Sequence, residues 1–290
     1  MKNLINLSGG DRLNLRVEDQ ILLSESVKNG KTRQTQKEFA SIDEAQKACA
    51  KKEWEGLKKG YVLQNMGAKA GEASLHIYIG GGYTGALAFA GAEGDLFVYK
   101  CGGYKEGGAL DDFLIRLDAS GAVKQQIVLP KPLAWRAERA GEILLLDLDH
   151  FIFKFDPATG EFSDLSQGLS FKNSKEFTSF VCAAKDTAAF AMFGQIFILR
   201  DGEISLLTQY KAEMKSSTPI FCIALSADGS RLAIISYGKA HIVDLKSANL
   251  TPSFELEHVV KRCEAKFENS NGSKNLAVRT DYGCFSLYRV

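Results

Sequence analysis

Four times in this 290-residue chain an alternating apolar stretch runs into an aspartate-headed turn and out into a second stretch. The four are "DFLIRLDASGAVKQQIVL", "HFIFKFDPATGEFSDLS", "QIFILRDGEISLLTQ" and "KAHIVDLKSANLTPSFEL". The turn aspartates are Asp118, Asp156, Asp201 and, less well aligned, Asp244, separated by 38, 45 and 43 residues. Period-two alternation means strands with one buried face, and an aspartate heads such turns because its carboxylate accepts nearby backbone N–H groups. Each unit follows two further strand-like runs, as in "FCIALSADGSRLAIISYG", where Asp-Gly marks a hairpin. Sets of four short strands recurring every ~40–45 residues imply propeller blades.

Strand sets fall at about 86–129, 133–166, 178–208 and 220–256, and a fifth begins at "CEAKFEN" and ends with the chain. That fifth set has three strands, and an open edge would leave backbone groups unpaired. "SLHIYIG", within residues 74–80, belongs to no set and is expected to close the last blade. The expectation is a mainly β chain with a five-bladed propeller over residues 74–290, six blades being the alternative if two sets are merged. "SADGSRLAI" resembles a hairpin of WD-repeat-like propellers. Gly80, Gly82 and Gly85 spell G-x-G-x-x-G after a strand. A dinucleotide turn needs a helix next, to hold the pyrophosphate, whereas "ALAFAGAEGDLFVYK" alternates as strands do. No dinucleotide is expected. The glycines are read as a tight link into the first inner strand, and "CGGYKEGGALDD" as an inter-strand loop.

The first 65 residues differ. "NLINL", "LNLRV" and "QILLSESV" read as short strands, followed by a helix at about 42–59. Ser41 and Glu44 form a capping box, Lys58 and Lys59 suit the negative end of the helix dipole, and Gly60 suits the stop. Ile42, Ala45, Cys49, Gly56 and Leu57 make one face, with Ala50 and Trp54 at its edge; Glu53 interrupts it. The run "GKTRQTQKEFASIDEAQKACAKKEWEGLKKGYV", Gly30 to Val62, resembles the C-terminal half of a WGR domain. The signature Trp-Gly-Arg is absent, and "ESVKNGK" stands near its place. The resemblance implies a small α+β domain over residues 1–65, of a family whose members include DNA-end binders. Its basic strand, Lys28, Lys31, Arg33 and Lys37, could track a phosphate backbone. Residues 66–73 are expected to be a short linker.

Net charge is +1, so bulk electrostatics draw the chain to neither nucleic acid nor membrane. Residues 1–71, however, hold 13 Lys/Arg against 9 Asp/Glu. No apolar run reaches the ~20 residues of a membrane helix, and no leader pattern is read at the start. A cytoplasmic, bacterial-type protein with no membrane partner is expected. Its six cysteines form no C-x-x-C and are read as buried thiols. No G-x-S-x-G elbow, clustered Cys/His metal motif or linear triad appears. Asp147 and Asp149 lie near His150, but alternation puts the two aspartates on one strand face and His150 on the other; Asp111 with Asp112 could bind a cation. Trp135, Arg136 and Arg139 crowd aromatic and cationic groups into a candidate partner surface. No catalytic residue, metal or cofactor is expected. The sequence therefore points to a non-enzymatic interaction or scaffold protein, its propeller binding a protein or small ligand and its basic residues 1–65 docking to nucleic acid or to a second protein. The alternatives are an enzyme or ligand-binding protein using the propeller funnel, and a dedicated inhibitor or immunity-type binder.

Overall fold

The computed structural model describes all residues except 82–84, 141, 150, 166–179, 185–186, 193–194, 202, 208–219, 221, 237, 248, 250–251, 259–261 and 271–272. The chain begins with β1 (Lys2–Asn6), β2 (Arg12–Glu18), β3 (Ile21–Lys28) and β4 (Lys31–Glu38), then α1 (Ile42–Lys58), β5 (Tyr61–Gln64) and β6 (Ala73–Tyr78). The Ser41 side chain accepts from the Glu44 N–H and caps α1; Glu44 reaches back to the Ala40 N–H. Ala45, Cys49, Glu53, Gly56 and Leu57 form its buried face, while Ile42 is half exposed. Gly56 lets the helix sit close: a Cβ there would meet Leu4 Cδ2 at 3.3 Å and Leu13 Cδ2 at 3.4 Å. Leu4, Leu15, Leu22, Leu57 and Leu63 complete the core beneath it.

Four antiparallel sheets of four strands follow in a propeller-like arrangement. The first combines β7 (Phe89–Ala92), β8 (Asp95–Lys100), β11 (Phe113–Leu117) and β12 (Val123–Val128). A two-strand excursion, β9 (Tyr104–Lys105) and β10 (Gly108–Ala109), interrupts it. The second is β13 (Ala134–Ala140), β14 (Ile143–Leu148), β15 (Phe151–Phe155) and β16 (Phe162–Asp164). The third is β17 (Phe180–Ala184), β18 (Thr187–Met192), β19 (Gln195–Arg200) and β20 (Glu203–Leu207). The fourth is β21 (Cys222–Leu225), β22 (Arg231–Ser236), β23 (Lys239–Asp244) and β24 (Phe254–Glu255). Asp118, Asp156 and Asp201 each follow a third strand, and Asp244 ends one. Asp118 accepts from the Ser120 and Ala122 N–H groups, Asp156 from Ala158 and Thr159, Asp244 from Lys246 and Ser247.

The C-terminal strands β25 (Cys263–Ser270), β26 (Ser273–Thr280) and β27 (Cys284–Arg289) do not form a separate sheet. They belong to a nine-stranded sheet of order β25-β26-β27-β6-β5-β1-β2-β3-β4. Five separate blades were expected; the pairing gives four and this composite. The cause is β5, which hydrogen-bonds to the second edge of β6 and carries the sheet into the N-terminal strands. The stretch expected as a linker likewise joins β5 to β6 within that sheet. Strand β25 lies against both β21 and β7.

The glycine run leads into β7, not a helix. Gly81 has φ +68°, and a Cβ on it would stand 2.6 Å from the Cys101 backbone N, so the backbones meet there directly. Arg279, fully buried, donates to the carbonyls of Gly80, Tyr99, Thr280 and Cys284 and ties β26 to this link. No described helix is long and apolar enough to cross a membrane.

Candidate functional site

Strand register decides where the predicted cations point. Lys28 pairs with Lys31, Ser26 with Arg33, Ser24 with Thr35 and Leu22 with Lys37. Directly paired residues share a face and alternate residues along a strand do too. Lys28, Lys31, Arg33 and Lys37 therefore all lie on the face that carries α1, with serine, threonine and leucine between them. That face of the β3–β4 hairpin holds no carboxylate. Lys52 of α1 reaches the same face and donates to Ser24 Oγ at 2.5 Å. Strand β4 is exposed along its whole length and forms the sheet edge. Among the described residues none of the four cations has an acidic partner; Lys37 lies 5.0 Å from the Phe39 ring centre. The acidic residues are on the other face, where Glu25 accepts from Asn14 and Gln34, bonds that hold its carboxyl below the ordinary range.

Arg136 and Arg139 lie elsewhere. They line a cavity of about 710 Å³ bounded by β7, β13, β17, β21 and β25. Trp135 instead packs, half-buried, against the core shared by the first two blades. Glu138, Glu264, Lys266 and Glu268 also face the cavity. Lys266 donates to the Ala137 carbonyl and to Glu138, both at 2.6 Å, and Glu268 accepts from the Gly91 N–H at 3.3 Å. Burial pushes the carboxyls of Glu264 and Glu268 above the ordinary range, although Lys266 pulls both down. Cys182, on the same wall, is pushed up to about 12 by burial, so it offers no thiolate nucleophile. The cavity can hold a small charged molecule, facing carboxyls whose hold on a proton burial has strengthened.

A third group joins the N-terminal strands to the propeller. Glu53 from α1, His76 from β6, and Glu257 and His258 from the turn after β24 bring one donor atom each within 4.8 Å of one another. Register explains His76: it pairs with Ser286 on β27, and Nδ1 lies 2.6 Å from Ser286 Oγ while Nε2 lies 2.7 Å from Glu257 Oε2. Lys2 bridges the two carboxylates, 2.5 Å from each. Burial opposes ionisation of Glu53, yet His258, His76 and Lys2 hold its carboxyl below the ordinary range. His76 and Lys2 do the same for Glu257. Trp54 stacks on His258 at 5.0 Å and on Tyr282 at 4.9 Å.

Sequence reasoning did not find this group, because its members lie far apart in the chain. One signal was visible: Glu53 in the apolar stripe of α1 is fully buried. Asp112, considered for a cation, accepts instead from Tyr99 Oη and the Gly102 and Leu133 N–H groups. Asp147 and Asp149 are at the end of β14 and in the turn after it; His150 lies outside the described residues.

No protein-family model matches the chain, so the WGR resemblance has no support from that comparison, and no curated protein matches it either. Solved structures do. Hsv2 of Kluyveromyces marxianus is 10% identical over 93% of this chain and 69% of that one, with a TM-score of 0.31. The glutaminyl cyclase of Myxococcus xanthus is 9% identical over 75% of this chain and 95% of its own, at 0.42. Hsv2 of Kluyveromyces lactis is 11% identical over 89% and 67%, at 0.28. Such scores add no argument, and the propeller-like arrangement rests on the strand pairing above.

Proposed function

We propose that the chain is an interaction protein whose β3–β4 hairpin docks on nucleic acid while the propeller serves as its scaffold. One observation carries the reading: Lys28, Lys31, Arg33 and Lys37 share with Lys52 one face of the hairpin, a face that holds no carboxylate and is exposed along β4. Lysines on an edge strand also discourage edge-to-edge pairing, but that role needs no common face. The order of basic strand, capped helix and Lys-Lys-Gly-Tyr ending keeps the WGR-like reading of residues 1–65. Without the signature triad, docking rests on the four cations. The contacts of β25 with β21 and β7 support treating β25, β26, β27 and β6 as a fifth blade.

The test is fluorescence anisotropy of the full chain with short single- and double-stranded DNA and RNA over a salt series. Each phosphate contact contributes roughly 0.7–0.9 to the slope of log affinity against log salt. Lys31→Gln with Arg33→Gln should lower that slope by about 1.4–1.8. No binding at low salt, or an unchanged slope, overturns the reading. Point variants replace truncation because β5 is hydrogen-bonded to β6.

A second reading has its own support in the cavity of Arg136, Arg139, Glu264, Lys266 and Glu268: a site for a small molecule bearing both charges. Thermal-shift screening with zwitterionic metabolites, repeated on Arg139→Gln, tests it. A hit lost in the variant supports it, and no hit removes it.

A further inference from the structure

We propose that Glu53, His76, Glu257 and His258 form a closed site for a divalent transition-metal ion, with zinc as the best-fitting occupant, clamping α1 to the propeller. The donor set is two imidazoles and two carboxylates drawn from four segments. Imidazole suits zinc and its neighbours, whereas calcium and magnesium favour all-oxygen shells. Four protein donors with no open position mark a structural rather than a catalytic site.

Spacing fits the ion. Donors about 2.1 Å from a tetrahedral zinc lie roughly 3.4 Å apart. Here His76 Nε2 is 2.7 Å from Glu257 Oε2 and 4.0 Å from Glu53 Oε1, and His258 Nε2 is 3.7 Å from Glu53 Oε2. Small side-chain rotations would equalise these distances.

Two atoms point to a missing partner. Glu53 Oε1 and His258 Nε2 are buried and make no hydrogen bond. The Glu53 side chain is completely buried, out of contact with bulk solvent. Their nearest polar contacts are long, Glu53 Oε1 to His76 Nε2 at 4.0 Å and His258 Nε2 to Glu53 Oε2 at 3.7 Å; buried polar atoms held that loosely are unfavourable, and one ion between them would satisfy both. The second shell is in place. Ser286 Oγ fixes the His76 ring through Nδ1, which leaves Nε2 for the ion. Trp54 stacks over His258, whose backbone is held at φ +60°.

Lys2 occupies the anionic centre, bonded to both carboxylates. Its side chain is about one-quarter exposed and can swing outward. A divalent ion would then neutralise the two glutamates that Lys2 now bridges. Lys2 is thus the competitor of the metal, which gives the proposal a signature that an ordinary ion-pair network lacks.

The experiment strips the full chain with a chelator, then titrates it with cobalt(II) and zinc. Readouts are the visible ligand-field spectrum of cobalt, quenching of Trp54 fluorescence, and metal-dependent melting. The proposal expects one cobalt per chain without thiolate charge-transfer bands, displaced by zinc. His258→Gln should weaken binding by more than the roughly 10–100-fold of a lost outer-shell partner. Lys2→Met should bind metal at least tenfold more tightly. If neither the wild type nor Lys2→Met binds stoichiometrically, or His258→Gln binds equally well, the proposal falls. A Lys2→Met protein that is destabilised and still binds no metal would assign the group to ion pairing alone.

Discussion

Asp112 is the residue whose removal should be felt most sharply for its size. It immediately precedes β11 and is buried; its neighbour Asp111 is exposed. Oδ2 accepts from Tyr99 Oη at 2.6 Å and from the Leu133 N–H at 2.9 Å, and Oδ1 accepts from the Gly102 N–H at 2.9 Å. Leu133 sits at φ +58°, a conformation unfavourable for a branched side chain, and this bond anchors it at the entry to β13. Asp112→Ala would leave three donors without an acceptor. A buried orphaned donor costs about 1–3 kcal/mol; Gly102 is half-exposed and can turn to water. Counting the two inner donors fully and the third lightly gives about 3–5 kcal/mol, a large share of the ~5–15 kcal/mol of a whole domain. Asp111→Ala should stay within about 0.5 kcal/mol. Urea unfolding followed by circular dichroism would show this as a midpoint shift of about 1–2 M for Asp112→Ala, taking ~2–3 kcal/mol per molar. Equal midpoints for the two variants would refute the account of Asp112 as the joint between the first two blades.

Other expectations can be checked with the same assays. Glu264 has its carboxyl raised by burial, so ionising it opposes folding at high pH; the penalty fades as pH falls through the folded value. Glu264→Gln should therefore melt higher than wild type at pH 8 and equally near about pH 4, where the unfolded carboxyl also takes up its proton. Gly81→Ala, with its Cβ 2.6 Å from Cys101 N, should cost about 2 kcal/mol or more. Gly107→Ala, at φ +110° but with nothing within 4 Å, should cost only the backbone strain, about 1–2 kcal/mol. Ser41→Ala removes the cap of α1 and should lower stability by about 1 kcal/mol in the same denaturation series.

What could be read from the chain depended on how local the signal was. The aspartate-headed turns carry their own hydrogen bonds within four residues, so Asp118, Asp156 and Asp244 announced third-to-fourth strand turns without tertiary context. Ser41 and Glu44 marked the start of α1 for the same reason. Arg136 and Arg139 looked like surface residues because charge in a strand normally means solvent; their solvent is the cavity on the axis. The basic hairpin residues were visible one by one, but their common face follows from the β3–β4 register. Sheet composition was least local. Whether β6 ends a sheet or continues it depends on β5, and alternation in "SLHIYIG" cannot tell which edges are paired. Glu53 was the exception that local pattern exposed and local pattern could not explain, since its partners come from β1, β6 and the turn after β24.

The sharing of one sheet by the first and last strands imposes an order on biosynthesis. His76 meets Ser286 across 210 residues of chain. At translation rates of roughly 5–20 residues per second, β6 emerges from the ribosome about 10–40 s before β27 can cover it. During that interval β5 shields one side of β6 while the other remains an open template for foreign strands. Chaperone capture of nascent chains halted just before Cys284, and release once Arg289 has cleared the exit, would be the cellular trace of that wait.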